Sequence, residues 1–225
     1  MSVKGIELKF DAIFFDFDGV MAETMPYHLT AWKDIIENHY GFEFRPMTVK
    51  LNEGRPVVGI ARAVFEEAGR DYSESQLLDI IEQKNAVFRA TNNATIYPEN
   101  FEIIKLAQEK RLKVGLVTGT HLKNVEALLP KEMIDNFDVI IVDGDVERGK
   151  PFPDPYLAAA RRCGVEPEKC LVVENAPMGI QAAKSAGMFC AALKTTLSSE
   201  HLKAADVTFD NHAQLLTEIR DIILA

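Results

Sequence analysis

The sequence predicts an α/β fold: a mainly parallel sheet, interrupted near its start by an all-helical module. Three observations carry that expectation. Ala12, Ile13, Phe14 and Phe15 form an apolar run without alternation, the pattern of a strand covered on both faces. From Ile96 onward, short apolar runs alternate regularly with helical spacing, which calls for parallel βα units. Between these two regions nothing reads as a central strand. The expected organisation is therefore a discontinuous core, residues 1–22 and 93–225, with a helical module at 23–92. The chain crosses between them near Glu23 to Pro26 and again near Asn92 to Tyr97.

The first strand runs directly into Asp16 and Asp18, two residues apart and on the same side while the chain stays extended. Gly19 then allows a sharp turn. Ligands of open α/β sheets bind at the carboxyl ends of the strands, so both acids are expected at the mouth of a cleft. Two carboxylates so close repel unless a cation, a shared proton or both lie between them.

Behind Pro26, the residues Leu29, Trp32, Ile35, Ile36 and Tyr40 recur at helical spacing, and Gly41 closes the segment. Val57, Ile60, Ala61, Val64 and Phe65 mark a second helix ending at Gly69. Leu77, Leu78, Ile81, Val87 and Phe88 mark a third, entered through Ser73 with Gln76 three residues on, a capping-box pattern. Strands are then expected at 113–118, 138–142, 170–174 and 189–193, with a weaker one at 207–209. Pro98 opens one intervening helix; Asp154-Pro155 caps and opens another that stops at Gly164; Pro177 opens one that stops at Gly187.

A formal charge of −9 over 225 residues excludes nucleic acid and anionic membrane surfaces as expected partners, since both demand basic patches. A phosphorylated small molecule remains compatible, because a local lysine, Mg²⁺ or a helix N-terminus binds phosphate whatever the total charge. Cys163, Cys170 and Cys190 are odd in number and lack paired metal spacing, so they are expected to be reduced core residues of a cytoplasmic protein. No stretch approaches the ~20 apolar residues of a membrane span. The segment from Met1 to Glu7 has no signal-peptide apolar region.

Four stretches in order carry a resemblance. Asp16-Phe17-Asp18-Gly19-Val20 after an apolar strand, Val117-Thr118-Gly119-Thr120, Gly149-Lys150-Pro151-Phe152-Pro153-Asp154-Pro155 and Val173-Glu174-Asn175-Ala176-Pro177-Met178-Gly179-Ile180 resemble the four motifs of the haloacid dehalogenase superfamily. Within it, the chain is similar to the β-phosphoglucomutase-like hydrolases and mutases. The resemblance implies a Rossmann-like parallel-sheet core with an inserted helical cap, Mg²⁺ as cofactor and an aspartyl-phosphate intermediate. Carried over, Asp16 is the nucleophile and Asp18 the general acid that later activates water. Thr118 and Gly119 hold phosphate oxygens, and Lys150 neutralises Asp16 and phosphate together. Read without the resemblance, Thr118 is rather a helix N-cap than a phosphate ligand.

The metal ligands implied are Asp16, the Asp18 carbonyl and either Glu174 or Asn175. Here the chain departs from the common Glu-Asp or Asp-Asp pattern, and Asn175 leaves the site one negative charge poorer. His28, Glu53 and Arg55 fall in cap regions that face the site in relatives and select substrate. The plainer readings are a surface or satisfied His28 and a Glu53 hydrogen-bonded to Arg55 or a sugar hydroxyl.

The expected function is Mg²⁺-dependent hydrolysis of a small phosphorylated metabolite, either a sugar phosphate or inorganic pyrophosphate, by a monomer. A close approach of Glu53 to Asn175 would favour pyrophosphate. The alternative is a hexose phosphate mutase of the β-phosphoglucomutase type. A phospho-receiver signalling domain would be shorter, without a helical insert, and would not carry its acceptor on the first strand. A metal-free dehalogenase would not need Asp18, since halide departure requires no proton donor.

Overall fold

The computed structural model describes residues 2–3, 6–7 and 9–224. A short antiparallel pair, β1 (Ser2–Val3) and β2 (Ile6–Glu7), precedes the main sheet. That sheet has six parallel strands: β3 (Ala12–Phe15), β4 (Lys113–Val117), β5 (Val139–Ile141), β6 (Cys170–Glu174), β7 (Phe189–Leu193) and β8 (Val207–Phe209). Their order is β5-β4-β3-β6-β7-β8. The chain thus moves outward from β3 through β4 to β5, then returns to pair β6 on the other flank of β3. Phe15 stands opposite Leu116 on one side and Val173 on the other. This reversal places the ends of β4, β3 and β6 side by side, where such sheets bind ligands.

The alternation of side chains along β3 explains why its sequence is apolar throughout. Ile13 and Phe15 enter a cluster with Leu116, Val173, Ile103 and Leu215, beneath α5 (Glu99–Glu109) and α10 (His212–Leu224). Ala12 and Phe14 enter the opposite cluster with Val172, Tyr156 and Ile180, beneath α8 (Asp154–Cys163) and α9 (Pro177–Ser185).

Between residues 25 and 91 run four helices joined by loops: α1 (Met25–His39), α2 (Pro46–Asn52), α3 (Val57–Glu67) and α4 (Glu74–Thr91). They share a third cluster of their own, built on Trp32, Ile36, Val49, Ala61, Phe65, Leu77 and Ile80. The Ser73–Gln76 capping box forms at the start of α4. The two chain crossings pair with each other: Glu23 N–H donates to Thr95 O at 2.9 Å and Tyr97 N–H to Met21 O at 3.1 Å, flanking a bridge between Ala22 and Ile96.

Several expectations need correction. α2 was not foreseen, because seven residues are too few to establish a helical period. The short α6 (Leu122–Leu128) and α7 (Lys131–Ile134) and the longer α10 were also missed. Asp154 does not cap α8; it is the first helical residue, and its carboxylate accepts from Arg148 Nε and Nη2 at 3.0 and 3.1 Å. Two strands are shorter than expected: Thr118 lies just past β4, and Asp138 and Val142 flank β5. All three cysteines are free, with Cys170 and Cys190 buried. Among the described residues no helix is long and apolar enough to cross a membrane.

Candidate active site

Asp16 leaves β3 with its backbone N–H on Val173 O at 3.0 Å, so its side chain enters the cleft between β4 and β6. It is 2% exposed, and its Oδ1 accepts from Lys150 Nζ at 2.6 Å. Lys150 also donates to Glu174 Oε1 at 2.6 Å and to Val117 O at 3.0 Å. One buried ammonium therefore bridges two buried carboxylates. Glu174 takes two further donors, Tyr156 Oη on Oε1 at 2.7 Å and the Asn175 N–H on Oε2 at 3.0 Å. Burial works to lower the Lys150 pKa, but the two carboxylates outweigh it and raise it, holding the group charged. Burial pushes Asp16 above the ordinary carboxylate range; Lys150 opposes this, and Glu174 and Asp18 reinforce it.

Asp18 accepts three hydrogen bonds. Thr24 Oγ1 donates to Oδ1 at 2.6 Å, Thr120 Oγ1 to Oδ2 at 2.6 Å, and His28 Nε2 lies 3.1 Å from Oδ1. Burial would raise its pKa, but His28 and the hydroxyls outweigh that and hold it well below the usual range, so Asp18 stands ionised. His28 is buried and stacks on Phe88, ring centroids 3.9 Å apart and planes within 2°. Its Nδ1 lies 2.8 Å from Lys84 Nζ. The ammonium must donate there, which leaves the His28 proton on Nε2, facing Asp18. Burial and then the Lys84 charge lower the His28 pKa, consistent with a neutral ring. Of the plainer readings of His28, the surface one is corrected and the satisfied one holds: the ring is packed and bonded at both nitrogens.

Lys84 was not foreseen, because a lysine on an amphipathic helix reads as solvated. A signal was nevertheless present: position 84 falls on the same stripe as Leu77, Ile81 and Phe88, at the spacing of the buried face. Lys84 is 4% exposed, and burial lowers its pKa to about 8.

Thr118, 5% exposed, accepts from the Thr120 N–H at 3.0 Å. It is not a helix N-cap, since His121 holds that position before α6. Gly119 follows it against the loop between α2 and α3. That loop, Glu53 to Pro56, reaches across to the sheet. Glu53 is 4% exposed, and its Oε1 accepts from Asn175 Nδ2 at 3.2 Å. The plainer alternative of a Glu53–Arg55 hydrogen bond is not met; Arg55 Nε instead donates to Met178 Sδ at 3.2 Å. Burial, then Asp16 and Asp18, push Glu53 well above the carboxylate range.

Asn175 Nδ2 also lies 2.9 Å from both the Asp18 carbonyl and Thr196 Oγ1. Two side-chain oxygens at this place are buried with no hydrogen-bond partner, Asn175 Oδ1 and Glu53 Oε2. Thr195 Oγ1 donates to Gly19 O at 2.7 Å, so the loop after β7 supports the same turn. Sequence reasoning missed Thr195 and Thr196, which become neighbours of Gly19 and Asn175 only through the sheet. The resulting cavity, about 60 Å³, is lined by Asp16, Asp18, His28, Trp32, Glu53, Arg55, Lys84 and Thr118 among others. Among the described residues no set of three His, Cys, Asp or Glu side chains is arranged as a metal cluster.

A parallel sheet that gathers ionisable side chains from three adjacent strand ends, beside a group of helices, defines an α/β enzyme with its site at the carboxyl ends of the strands. The family model for haloacid dehalogenase-like hydrolases matches residues 10–187, and the chain belongs to that family. It is 30% identical over 181 residues to the fructose-1-phosphate phosphatase YqaB of Escherichia coli, covering 80% of this chain and 94% of the relative. It is 31% identical over 192 residues to a β-phosphoglucomutase of Bacillus subtilis, covering 79% and 80%. A solved structure of a putative β-phosphoglucomutase from Bacteroides vulgatus superposes with a TM-score of 0.83 at 29% identity, covering 97% of this chain and 91% of the other.

Proposed function

We propose that this hydrolase is a cytoplasmic, monomeric, Mg²⁺-dependent phosphatase that forms an aspartyl phosphate on Asp16, with inorganic pyrophosphate or a compact sugar phosphate as substrate. The observation that carries the reading is the buried Asp16–Lys150–Glu174 arrangement beside an ionised Asp18 in a cavity of about 60 Å³. Oδ1 of Asp16 is held by Lys150, which orients Oδ2 for attack on phosphorus. The bond from phosphorus to the leaving oxygen breaks as the Asp16–phosphorus bond forms. Thr118 and the Gly119 backbone bind phosphoryl oxygens, and Lys150 offsets their charge. Asp18 then removes a proton from water, which attacks phosphorus and frees Asp16. Asp18 stands ionised and has no proton to hand over, so an alkoxide leaving from a sugar phosphate would first require Asp18 protonated as general acid. A leaving group that departs readily without protonation, as phosphate does from pyrophosphate, suits it best.

The oxygens present fit a hard divalent cation: the Asp18 carbonyl and the unpartnered Asn175 Oδ1 and Glu53 Oε2 would hold it beside the Asp16 carboxylate. Glu174 is committed to Lys150, Tyr156 and a backbone N–H, so Asn175 is the better third ligand. When bound, Mg²⁺ supplies neutralising charge to the phosphate oxygens. Residues 23–92 act as a cap that closes by bending at Glu23 to Pro26 and Asn92 to Tyr97. The test is phosphate release from pyrophosphate, fructose 1-phosphate and glucose 1-phosphate, with EDTA and with Mg²⁺ restored. Activity should vanish with the chelator and return with the metal. Glu53→Gln should weaken Mg²⁺-supported turnover and Asn175→Asp restore part of it; additive effects in the double variant would sink the linkage.

A second reading, hexose phosphate mutase, uses the same groups with a sugar hydroxyl replacing water as acceptor. The B. subtilis relative supports it. Conversion of glucose 1-phosphate to glucose 6-phosphate without phosphate release would select it.

Lys84 supplies a pH dependence. As pH rises through about 8 its ammonium loses its proton, and with it the charge that fixes the His28 tautomer facing Asp18. The rate should therefore fall on the alkaline side with a midpoint near 8. Lys84→Met should lower kcat roughly tenfold or more, as for a lost hydrogen bond to a charged group, and abolish that limb. An alkaline limb unchanged in the variant would count against Lys84.

A further inference from the structure

Two glycines beside the site have ordinary backbone angles, so conformation does not explain them; neither Gly119 nor Gly149 has a positive φ. Space does. A Cβ at Gly119 would stand 2.7 Å from Gly54 O and 2.9 Å from Arg55 O. A Cβ at Gly149 would stand 2.6 Å from Pro56 Cγ and 2.8 Å from Pro56 Cδ. In both cases the obstructing atoms are backbone or a proline ring, which cannot swing aside. All four belong to the Glu53–Pro56 loop, so the two glycines form the walls of a slot in which that loop sits. Its seating brings Glu53 to Asn175 and lays Gly54 against the Lys150 side chain, where a Cβ would meet Cδ at 3.2 Å. Gly54 and Arg55 in turn wall the cavity.

We propose that Gly119 and Gly149 are specificity-determining positions: their missing side chains admit the Glu53–Pro56 loop, and the seated loop limits the site to compact phosphates. A methyl group at either position holds the loop away from the sheet. At Gly149 the strand-end groups should stay in place while the cavity loses one wall and admits a sugar ring; at Gly119, whose backbone also binds phosphate, loop seating alone is read. Specificity is then set from the sheet side as well as by the helical residues that face the substrate. This deepens the phosphatase reading and rests on it for the substrate class.

The chain contains one tryptophan, Trp32, which is 1% exposed and lines the cavity, so acrylamide quenching of its fluorescence reports loop seating without any turnover. Gly149→Ala should raise the quenching constant severalfold. It should also lower the ratio of kcat/KM on pyrophosphate to that on glucose 1-phosphate by roughly tenfold, the scale on which one methylene discriminates in a packed pocket. Pro56→Ala removes the ring atoms that the new methyl meets, so Pro56→Ala/Gly149→Ala should recover both quantities. Gly119→Ala should raise quenching independently, and serves if Gly149→Ala melts too low to assay. Wild-type quenching and substrate ratio in Gly149→Ala, or no recovery in the double variant, would overturn the slot while leaving the phosphatase reading intact. A wild type that turns over no phosphate of any class would overturn that reading, and the specificity role with it.

Discussion

Asp16→Asn is expected to abolish phosphate release, lowering kcat by about 10⁴–10⁶-fold, the range seen when an enzyme's nucleophile is removed. An amide nitrogen or oxygen does not attack phosphorus at neutral pH, whereas the side-chain shape is unchanged. The fold should persist for two reasons. The amide oxygen can still accept from Lys150 Nζ, which keeps its second partner Glu174. The variant also removes a buried carboxylate that stands close to Glu174 and Asp18, relieving repulsion that raises its own pKa. The melting temperature should therefore match or exceed that of the wild type. Beryllium fluoride with Mg²⁺ should raise the melting temperature of the wild type and leave that of the variant unchanged. Residual turnover within a hundredfold of the wild type would exclude a covalent step at Asp16.

Lys150→Met should be the most damaging change to stability as well as to rate. Lys150 is 2% exposed, Asp16 2% and Glu174 0%, so its loss leaves two carboxylates in the interior with no cation between them. Breaking a buried pair from one side costs about 3–5 kcal/mol. The deficit should depend on pH, and its sign follows from proton counting. A carboxylate whose native pKa is raised holds its proton in the folded state over a range where the unfolded chain has released it. Folding then binds protons, and stability falls as pH rises from the ordinary carboxylate pKa to the raised native one. Urea unfolding should accordingly find the variant's deficit largest at pH 8 and smaller at pH 5. A deficit that grows toward low pH would contradict the assignment of Lys150 as the neutralising group.

Much of this site was legible because its parts lie where strands end. An apolar run followed by Asp16, another followed by Thr118 and a third followed by Glu174 mark three strand ends, and the topology sets them side by side. Glu53 was also legible, since an acid beside Gly54 in a loop is poorly explained by packing. Lys84 was hidden by its own chemistry: a charge on a helix normally faces water, and only its place on the apolar stripe says otherwise. The hydroxyls of Thr24, Thr120 and Thr196 were hidden for a different reason. Each acts on a group brought near by folding, and single threonines carry no spacing signal. The helix α2 escaped because periodicity needs more turns than seven residues supply, although Pro46 at its first position is a start signal.

The pairing of the two chain crossings constrains how the helical residues can travel. A body tethered by a single strand can swivel about every axis. Here the tether is a two-stranded ribbon, cross-linked by Glu23 to Thr95 and Tyr97 to Met21. Twisting or shearing that ribbon would break main-chain hydrogen bonds, whereas flexing it across its flat face stretches none of them. The proposed closure of the helical residues would thereby follow one soft degree of freedom, the swing of a page on its binding. The arc of the Glu53–Pro56 loop would then lie in the ribbon's plane and bring the loop to the Gly119–Gly149 slot in a single register. The spine also touches the chemistry, because Ala22 bridges Asp18 on its other side and Thr24 donates to the Asp18 carboxylate.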